Sequence, residues 1–155
     1  IEIGNEDDLT RGCDTYPDRF NQIYKAIHDK YPHITFVASH GDYLCLPSPL
    51  PPNLILDLHL YRAPDDFVNL FNQFDNQPRN QSVMVGEFGC RNTTEETGIY
   101  WSYMQGSCSE AVYMIGIERN SDIVKMVAYA PLMQHFDFVS WSVRIPIQQI
   151  LQEDS

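Results

Sequence analysis

The chain has 155 residues, with 10 Lys and Arg against 21 Asp and Glu, for a formal net charge of −11. Hydrophobic residues make up 43% of it and aromatic residues 12%, which excludes a disordered polymer, and the length suits one domain with a real core. The acidic balance argues against nucleic acid, whose phosphates need Lys and Arg, and against adsorption to an anionic membrane, and no apolar stretch approaches the roughly 18 residues of a membrane span.

The first residue is Ile rather than Met, so the sequence reads as a fragment or as a chain whose N-terminal part was removed. Ile1–Gly4 reads as a strand that runs into the polar segment Asn5–Asp8. Thr15-Tyr16-Pro17-Asp18 has capping-box spacing, and Phe20, Ile23, Tyr24, Ile27 and Tyr31 follow at helical spacing until Pro32. Ile34–Ala38 is a short β-prone run, and a Pro-rich loop then leads to the strand Leu54–Tyr61. Pro64 opens a second helix, with Phe67, Leu70, Phe71 and Phe74 on one face, and Ser82–Phe88 is the next strand. Asn92 to Gly106 reads as loop with some helix. Ser107-Cys108-Ser109-Glu110 is a second capping-box match before a helix over Ala111–Glu118, and Ile123–Ala130 is the last strand.

Four cysteines, Cys13, Cys45, Cys90 and Cys108, are too few for a disulfide scaffold. Cys13 and Cys45 sit in polar loops compatible with a disulfide between them, Cys90 reads as structural, and Cys108 reads as a small core residue. The acceptor triplets at Asn80 and Asn92 fit a secreted glycoprotein.

Strands whose ends fall near residues 6, 39, 61, 88 and 130 are spaced for parallel βαβ units, which need roughly 30 residues each. Parallel strands with intervening helices leave a doubly wound sheet or a (β/α)8 barrel. The first strand has no Gly-rich turn after it, which argues against a dinucleotide fold. Ionisable residues at the strand ends, Glu6, His59, Tyr61 and Glu87, suit the mouth of a barrel. The fold class expected is therefore α/β, a partial (β/α)8 TIM barrel, with the other strands lying outside this sequence.

Glu6 and Glu87 each follow an apolar run at a strand end. Two carboxylates facing each other across a barrel mouth suit glycoside hydrolysis, one giving a proton to the leaving oxygen and the other attacking the anomeric carbon. On strand order they would meet only across a closed barrel. The competing reading is two strand-end glutamates that simply face solvent. Alternation in Asp57-Leu58-His59-Leu60-Tyr61 puts Asp57, His59 and Tyr61 on one face, where His59 and Tyr61 could position a neighbouring carboxylate. A satisfied structural cluster explains that face equally well. The five histidines, His28, His33, His40, His59 and His135, have no ligand spacing, so no metal is expected. No P-loop or G-x-S-x-G elbow occurs, so no cofactor is expected either. Tyr100, Trp101 and Tyr103 read as core aromatics or as a sugar-stacking wall.

The motifs Ile3-Gly4-Asn5-Glu6-Asp7-Asp8, Asp57-Leu58-His59-Leu60-Tyr61, Gly86-Glu87-Phe88, Ser109-Glu110-Ala111-Val112 and Glu118-Arg119-Asn120-Ser121-Asp122 come in this order. In that combination the chain resembles the fungal α-L-arabinofuranosidases of glycoside hydrolase family 51, over about residues 1 to 141. The resemblance implies barrel strands four to eight, Glu6 as general acid/base and Glu87 as nucleophile of a retaining reaction. It implies substrate binding by Asn5, His59 and Tyr61. It also implies a secreted enzyme that releases terminal arabinofuranose from arabinan or arabinoxylan, with the N-terminal barrel half and a β-sandwich in the parent protein. Residues 142–155 depart from the family pattern and read as a divergent tail, and Phe88 stands where relatives carry Tyr or Trp. The rival readings are another two-glutamate barrel glycosidase, an endo-glucanase or xylosidase, and a non-catalytic truncated remnant.

Overall fold

The computed structural model describes residues 1–9, 11–39, 45–91 and 104–130. Its elements in chain order are β1 (Glu2–Ile3), α1 (Tyr16–His28), β2 (Val37–Ala38), β3 (Ile55–Arg62), α2 (Pro64–Asn69), β4 (Ser82–Cys90), α3 (Met104–Arg119) and β5 (Val124–Tyr129). The five strands form one sheet in the order β1-β2-β3-β4-β5, and every neighbouring pair is parallel. Consecutive strands lie side by side, with α1 between β1 and β2, α2 between β3 and β4, and α3 between β4 and β5 in sequence.

Two apolar clusters hold the helices to the sheet. Tyr16 and Phe20 of α1 pack with Ile3, Phe36, Ala38, Leu54 and Leu56. Phe67 of α2 and Tyr113 and Ile117 of α3 pack with Leu60, Val85, Phe88 and Val124. At the opposite end of the strands from the site, the Glu118–Asp122 motif is a tie. Arg79 donates to Asn120 Oδ1 at 3.0 Å, and Asn120 Nδ2 donates to Asp75 Oδ1 and to the Gly116 carbonyl, each at 2.9 Å.

Several local expectations are corrected. Thr15 precedes α1 but has φ −121° and ψ −9°, outside the extended conformation a capping hydroxyl needs, and makes no side-chain cap. Its Oγ1 instead accepts from Arg19 Nε at 3.2 Å. The buried stripe of α1 runs through Tyr16 and Phe20, which leaves Ile23 and Tyr31 exposed. The second helix is shorter than its periodicity suggests, because α2 tightens into a 3-10 turn at Leu70–Asn72. The segment Ser107–Glu110 caps nothing, since the chain is already helical at Met104. Its Glu110 is buried and accepts from the Cys90 backbone N–H and, at 3.2 Å, from the Tyr129 hydroxyl. Cys108 is exposed, because the buried stripe of α3 passes through Gly106, Ser109, Glu110, Tyr113, Gly116 and Ile117 and misses it. Cys90 is buried, and Cys13 and Cys45 form a disulfide. Tyr100, Trp101 and Tyr103, together with residues 142–155, lie outside the described residues.

Candidate active site

The site forms where β1, β3 and β4 end. After Ile3 the chain turns sharply, with φ +95° at Gly4 and φ +49° at Glu6. Gly4 has no room for a side chain, since an added Cβ would stand 2.7 Å from Ser39 Oγ and 2.9 Å from the Tyr16 ring. A positive φ at a non-glycine residue such as Glu6 costs free energy and persists only where the surroundings hold it. Here the holder is Asp7. Its Oδ2 accepts from the Asn5 backbone N–H at 3.0 Å and from Ser39 Oγ at 2.8 Å, and its Oδ1 accepts from Arg19. Burial alone would push the Asp7 carboxyl up, but the hydrogen bonds from Arg19, Ser39 and Asn5 outweigh it and hold the group below its ordinary range.

On β3, Asp57, His59 and Tyr61 share one face, while Leu60 lies in the core and Leu58 packs against it. Pairing with β4 carries an irregularity there. Asp57 pairs with Met84 and His59 with Glu87, so β3 advances two residues while β4 advances three. The extra residue is a β-bulge, the device by which strands re-aim a side chain next to a site. A regular ladder would put Gly86 opposite His59 and turn Glu87 away. The bulge puts Glu87 opposite His59 and leaves Phe88 in the core.

The side chains converge there. His59 Nδ1 lies 3.0 Å from Glu6 Oε1 and 3.5 Å from Glu87 Oε2, and its Nε2 lies 2.7 Å from Asp57 Oδ2. Tyr61 donates to Glu87 Oε2 at 2.6 Å. One ligand-type atom from each of Glu6, His59 and Glu87 lies within 4.8 Å of the others. The sequence reading required a closed barrel for the two glutamates to meet. Five strands bring them together, with Glu6 just past β1 and Glu87 in β4. Asn5 lies exposed in the same turn. The side chains of His59, Glu6 and Glu87 are 13%, 27% and 29% exposed, so the group is partly desolvated yet open to a ligand.

Burial alone would lower the His59 pKa, but the close Asp57 carboxylate, the hydrogen bond with Glu6 and the charge of Glu87 raise it from 6.5 to about 9. The imidazole is thus a cation at neutral pH. Glu6, His59 and Glu87 have the spacing of three ligands for a cation, but a metal requires a neutral imidazole, and both ring nitrogens already face carboxylates. The donor set fits a hydrogen-bonded acid pair better than a metal centre. Tyr61 is pushed far above its ordinary value by burial and by its bond to Glu87, and it stays a donor.

Alternation identifies the face on which Asp57 lies, but nothing in the sequence assigns it a partner. It is 1% exposed, and its Oδ1 accepts from the Gly86 backbone N–H at 2.8 Å. Glu2 is exposed as a residue, but desolvation of its carboxyl, the charge of Asp57 and a hydrogen bond with Asp57 raise its pKa to about 7. A strand-end acid beside an aspartate two strands away has no sequence signal.

Comparison with known proteins places this arrangement. The chain is 58% identical over 146 residues to a protein named probable alpha-L-arabinofuranosidase A from Emericella nidulans, an alignment covering 94% of this chain and 26% of that one. It is 46% identical over 142 residues to alpha-L-arabinofuranosidase A from Aspergillus kawachii, covering 92% and 22%. The chain therefore spans about a quarter of the length of the curated relatives it matches. Among solved structures, an arabinose-bound GH51 α-L-arabinofuranosidase superposes with a TM-score of 0.77 at 28% identity, covering 92% of this chain and 24% of that one. The five-stranded parallel sheet is thus part of a TIM barrel. Residues 86–153 match the family described as Alpha-L-arabinofuranosidase C-terminal domain. Residues 1–79, more than half of the chain, match the family described as Alpha-L-arabinofuranosidase 1 domain, and the chain belongs to that family.

Proposed function

We propose that this chain carries the catalytic pair of a retaining glycoside hydrolase that releases terminal α-L-arabinofuranosyl residues. The observation that carries the reading is the approach of Glu6 and Glu87 to within 4.8 Å about His59, with Tyr61 bonded to Glu87. Carboxyl groups about 5–5.5 Å apart suit double displacement, whereas an inverting pair leaves room for a water at roughly 6.5–9.5 Å. Glu87 attacks the anomeric carbon and forms a glycosyl ester while Glu6 protonates the departing oxygen. Glu6 then takes a proton from water, which attacks the same carbon and frees Glu87. Two inversions give net retention. Asn5, His59 and Tyr61 contact the sugar, and Tyr61 also fixes the carboxylate of Glu87. No cofactor enters the reaction.

In this reading residues 1–141 are the C-terminal part of the catalytic barrel, strands four to eight, and 142–155 are a divergent tail. The parent protein supplies the N-terminal barrel half and a β-sandwich. It is secreted, glycosylated at Asn80 or Asn92, and acts on arabinan or arabinoxylan. The sequons support glycosylation and secretion, and the relatives' name alpha-L-arabinofuranosidase supports an arabinose-containing substrate.

Hydrolysis of an aryl α-L-arabinofuranoside by the 155-residue chain, beside Glu87→Ala and Glu6→Ala, tests the assignment. Turnover lost in Glu87→Ala, with azide giving a glycosyl azide of inverted anomeric configuration, is expected. Undiminished turnover in that variant overturns the role of Glu87, and preference for aryl pyranosides overturns the furanoside class.

A further inference from the structure

Asp57 carries no role in the reaction proposed above, yet it is the most buried ionised-type side chain beside the site, 1% exposed. Each of its oxygens faces a different element. Oδ2 lies 2.7 Å from His59 Nε2, and Oδ1 accepts from the Gly86 N–H at 2.8 Å. The first is a charge contact outside hydrogen-bond geometry, and it holds the charged ring from the side opposite the Nδ1–Glu6 contact. The second bridges β3 to the bulged residue of β4, whose extra residue turns Glu87 toward His59. Gly86 completes the fit. A Cβ there would collide with the Asp57 carboxylate, standing 2.8 Å from its Cγ, so the bulge and the aspartate are made for each other.

We infer that Asp57 is a positioning residue for both glutamates at once, holding the His59 ring against Glu6 with one oxygen and the Gly86 bulge that presents Glu87 with the other. The inference rests on the proposed roles of Glu6 and Glu87 for its kinetic consequences but not for its geometry. The electrostatics agree, because Asp57 is among the groups that keep His59 protonated, with Glu6 and Glu87 facing the same ring and Glu2 facing Asp57 from β1. A buried carboxylate that both orients an imidazole and sets its charge is a general device for fixing a ring in one state.

Two variants separate the two contacts. Asp57→Asn keeps an acceptor for the Gly86 N–H and removes the charge, whereas Asp57→Ala removes both contacts. In the 155-residue chain, imidazole NMR titration of Asp57→Asn should show His59 titrating at least one unit lower than in the wild type, with the Gly86 amide still slow to exchange. In Asp57→Ala the Gly86 amide should also exchange at least tenfold faster. On an aryl α-L-arabinofuranoside, Asp57→Asn should lower kcat at least tenfold, leave KM within about threefold, and move the alkaline limb of the profile to lower pH. An unmoved His59 titration and unchanged Gly86 exchange in both variants overturn the inference. A lower melting temperature with neither change does so too, because it marks a merely structural aspartate. If no protein turns over, the proposed reaction has failed, and titration and exchange still decide the role of Asp57.

Discussion

Tyr61 donates its hydroxyl to Oε2 of Glu87 at 2.6 Å, across two strands that pair side by side and from residues 26 apart in sequence. A hydrogen bond to a charged group contributes about 1.5–3 kcal/mol, and this one orients the carboxylate assigned as nucleophile. Tyr61→Phe removes it without a change in ring volume. The expected result is a kcat loss of roughly 10- to 100-fold, with a smaller change in KM and a melting temperature within a few degrees, read by steady-state kinetics and calorimetry.

Gly86→Ala should be far more damaging than an ordinary glycine-to-alanine change in a strand. The added methyl group meets the Asp57 carboxylate, which has nowhere to go at 1% exposure. Overpacking of this kind costs about 1–3 kcal/mol, and relieving it would straighten the bulge and turn Glu87 away. Denaturant unfolding should show the stability loss, and turnover should fall by more than the unfolded fraction explains. Wild-type kinetics in this variant would sink the bulge argument.

Stability should depend on pH through the site. His59 has its pKa raised from 6.5 to about 9, so the charged ring stabilises the fold fully below pH 6.5, and that contribution fades as pH rises through 9. Glu2 is raised from 4.5 to about 7, so its protonated form adds stability below pH 4.5 that is lost as pH rises through 7. Asp7 works in the opposite sense. Held below 3.8, it adds stability above that value and loses it as pH falls through its lowered range. Thermal melts should therefore peak near pH 4 to 4.5, decline through pH 7 as Glu2 ionises, and decline further toward pH 9 as His59 loses its proton. Glu2→Gln should flatten the decline between 4.5 and 7, and a melting temperature still rising at pH 9 would contradict the assignment of charge to His59.

The Cys13–Cys45 disulfide closes a loop with a sequence separation of 32, which in the chain-entropy account contributes about 3–4 kcal/mol. It joins the 3-10 turn before α1 to the loop leading toward β3, and Cys45 sits in the core cluster that contains Ile3 and Tyr16. Cys13→Ser with Cys45→Ser, or reductant, should lower the melting temperature by many degrees and loosen the Asn5–Asp7 turn. Equal melting curves with and without reductant would show that the bridge adds nothing.

Much of this architecture was legible along the chain. The alternation in Asp57–Tyr61 placed three polar groups on one face, and the periodicities around Phe20 and Phe67 marked helices that do pack on the sheet. Those signals are local, since a period of two or of 3.6 is written into a few consecutive residues. The capping boxes misled because a four-residue pattern does not fix its own use: the Thr15 hydroxyl accepts from Arg19 instead of capping α1, and Glu110 is a buried acceptor for a strand amide and a tyrosine.

The amino-acid order alone thus places five strands and three helices in sequence, though not their exact ends, and puts Glu6 and Glu87 toward the C-terminal ends of two strands. It leaves open that Glu87 faces His59 at all, because that depends on one extra residue in β4 and on a carboxylate 29 positions earlier filling the space a side chain at Gly86 would take. It also leaves open that Glu6 and Glu87, 81 positions apart, meet within five strands. Register, bulge and sheet curvature are set by contacts between distant parts of the chain, and such contacts exist only once it has folded.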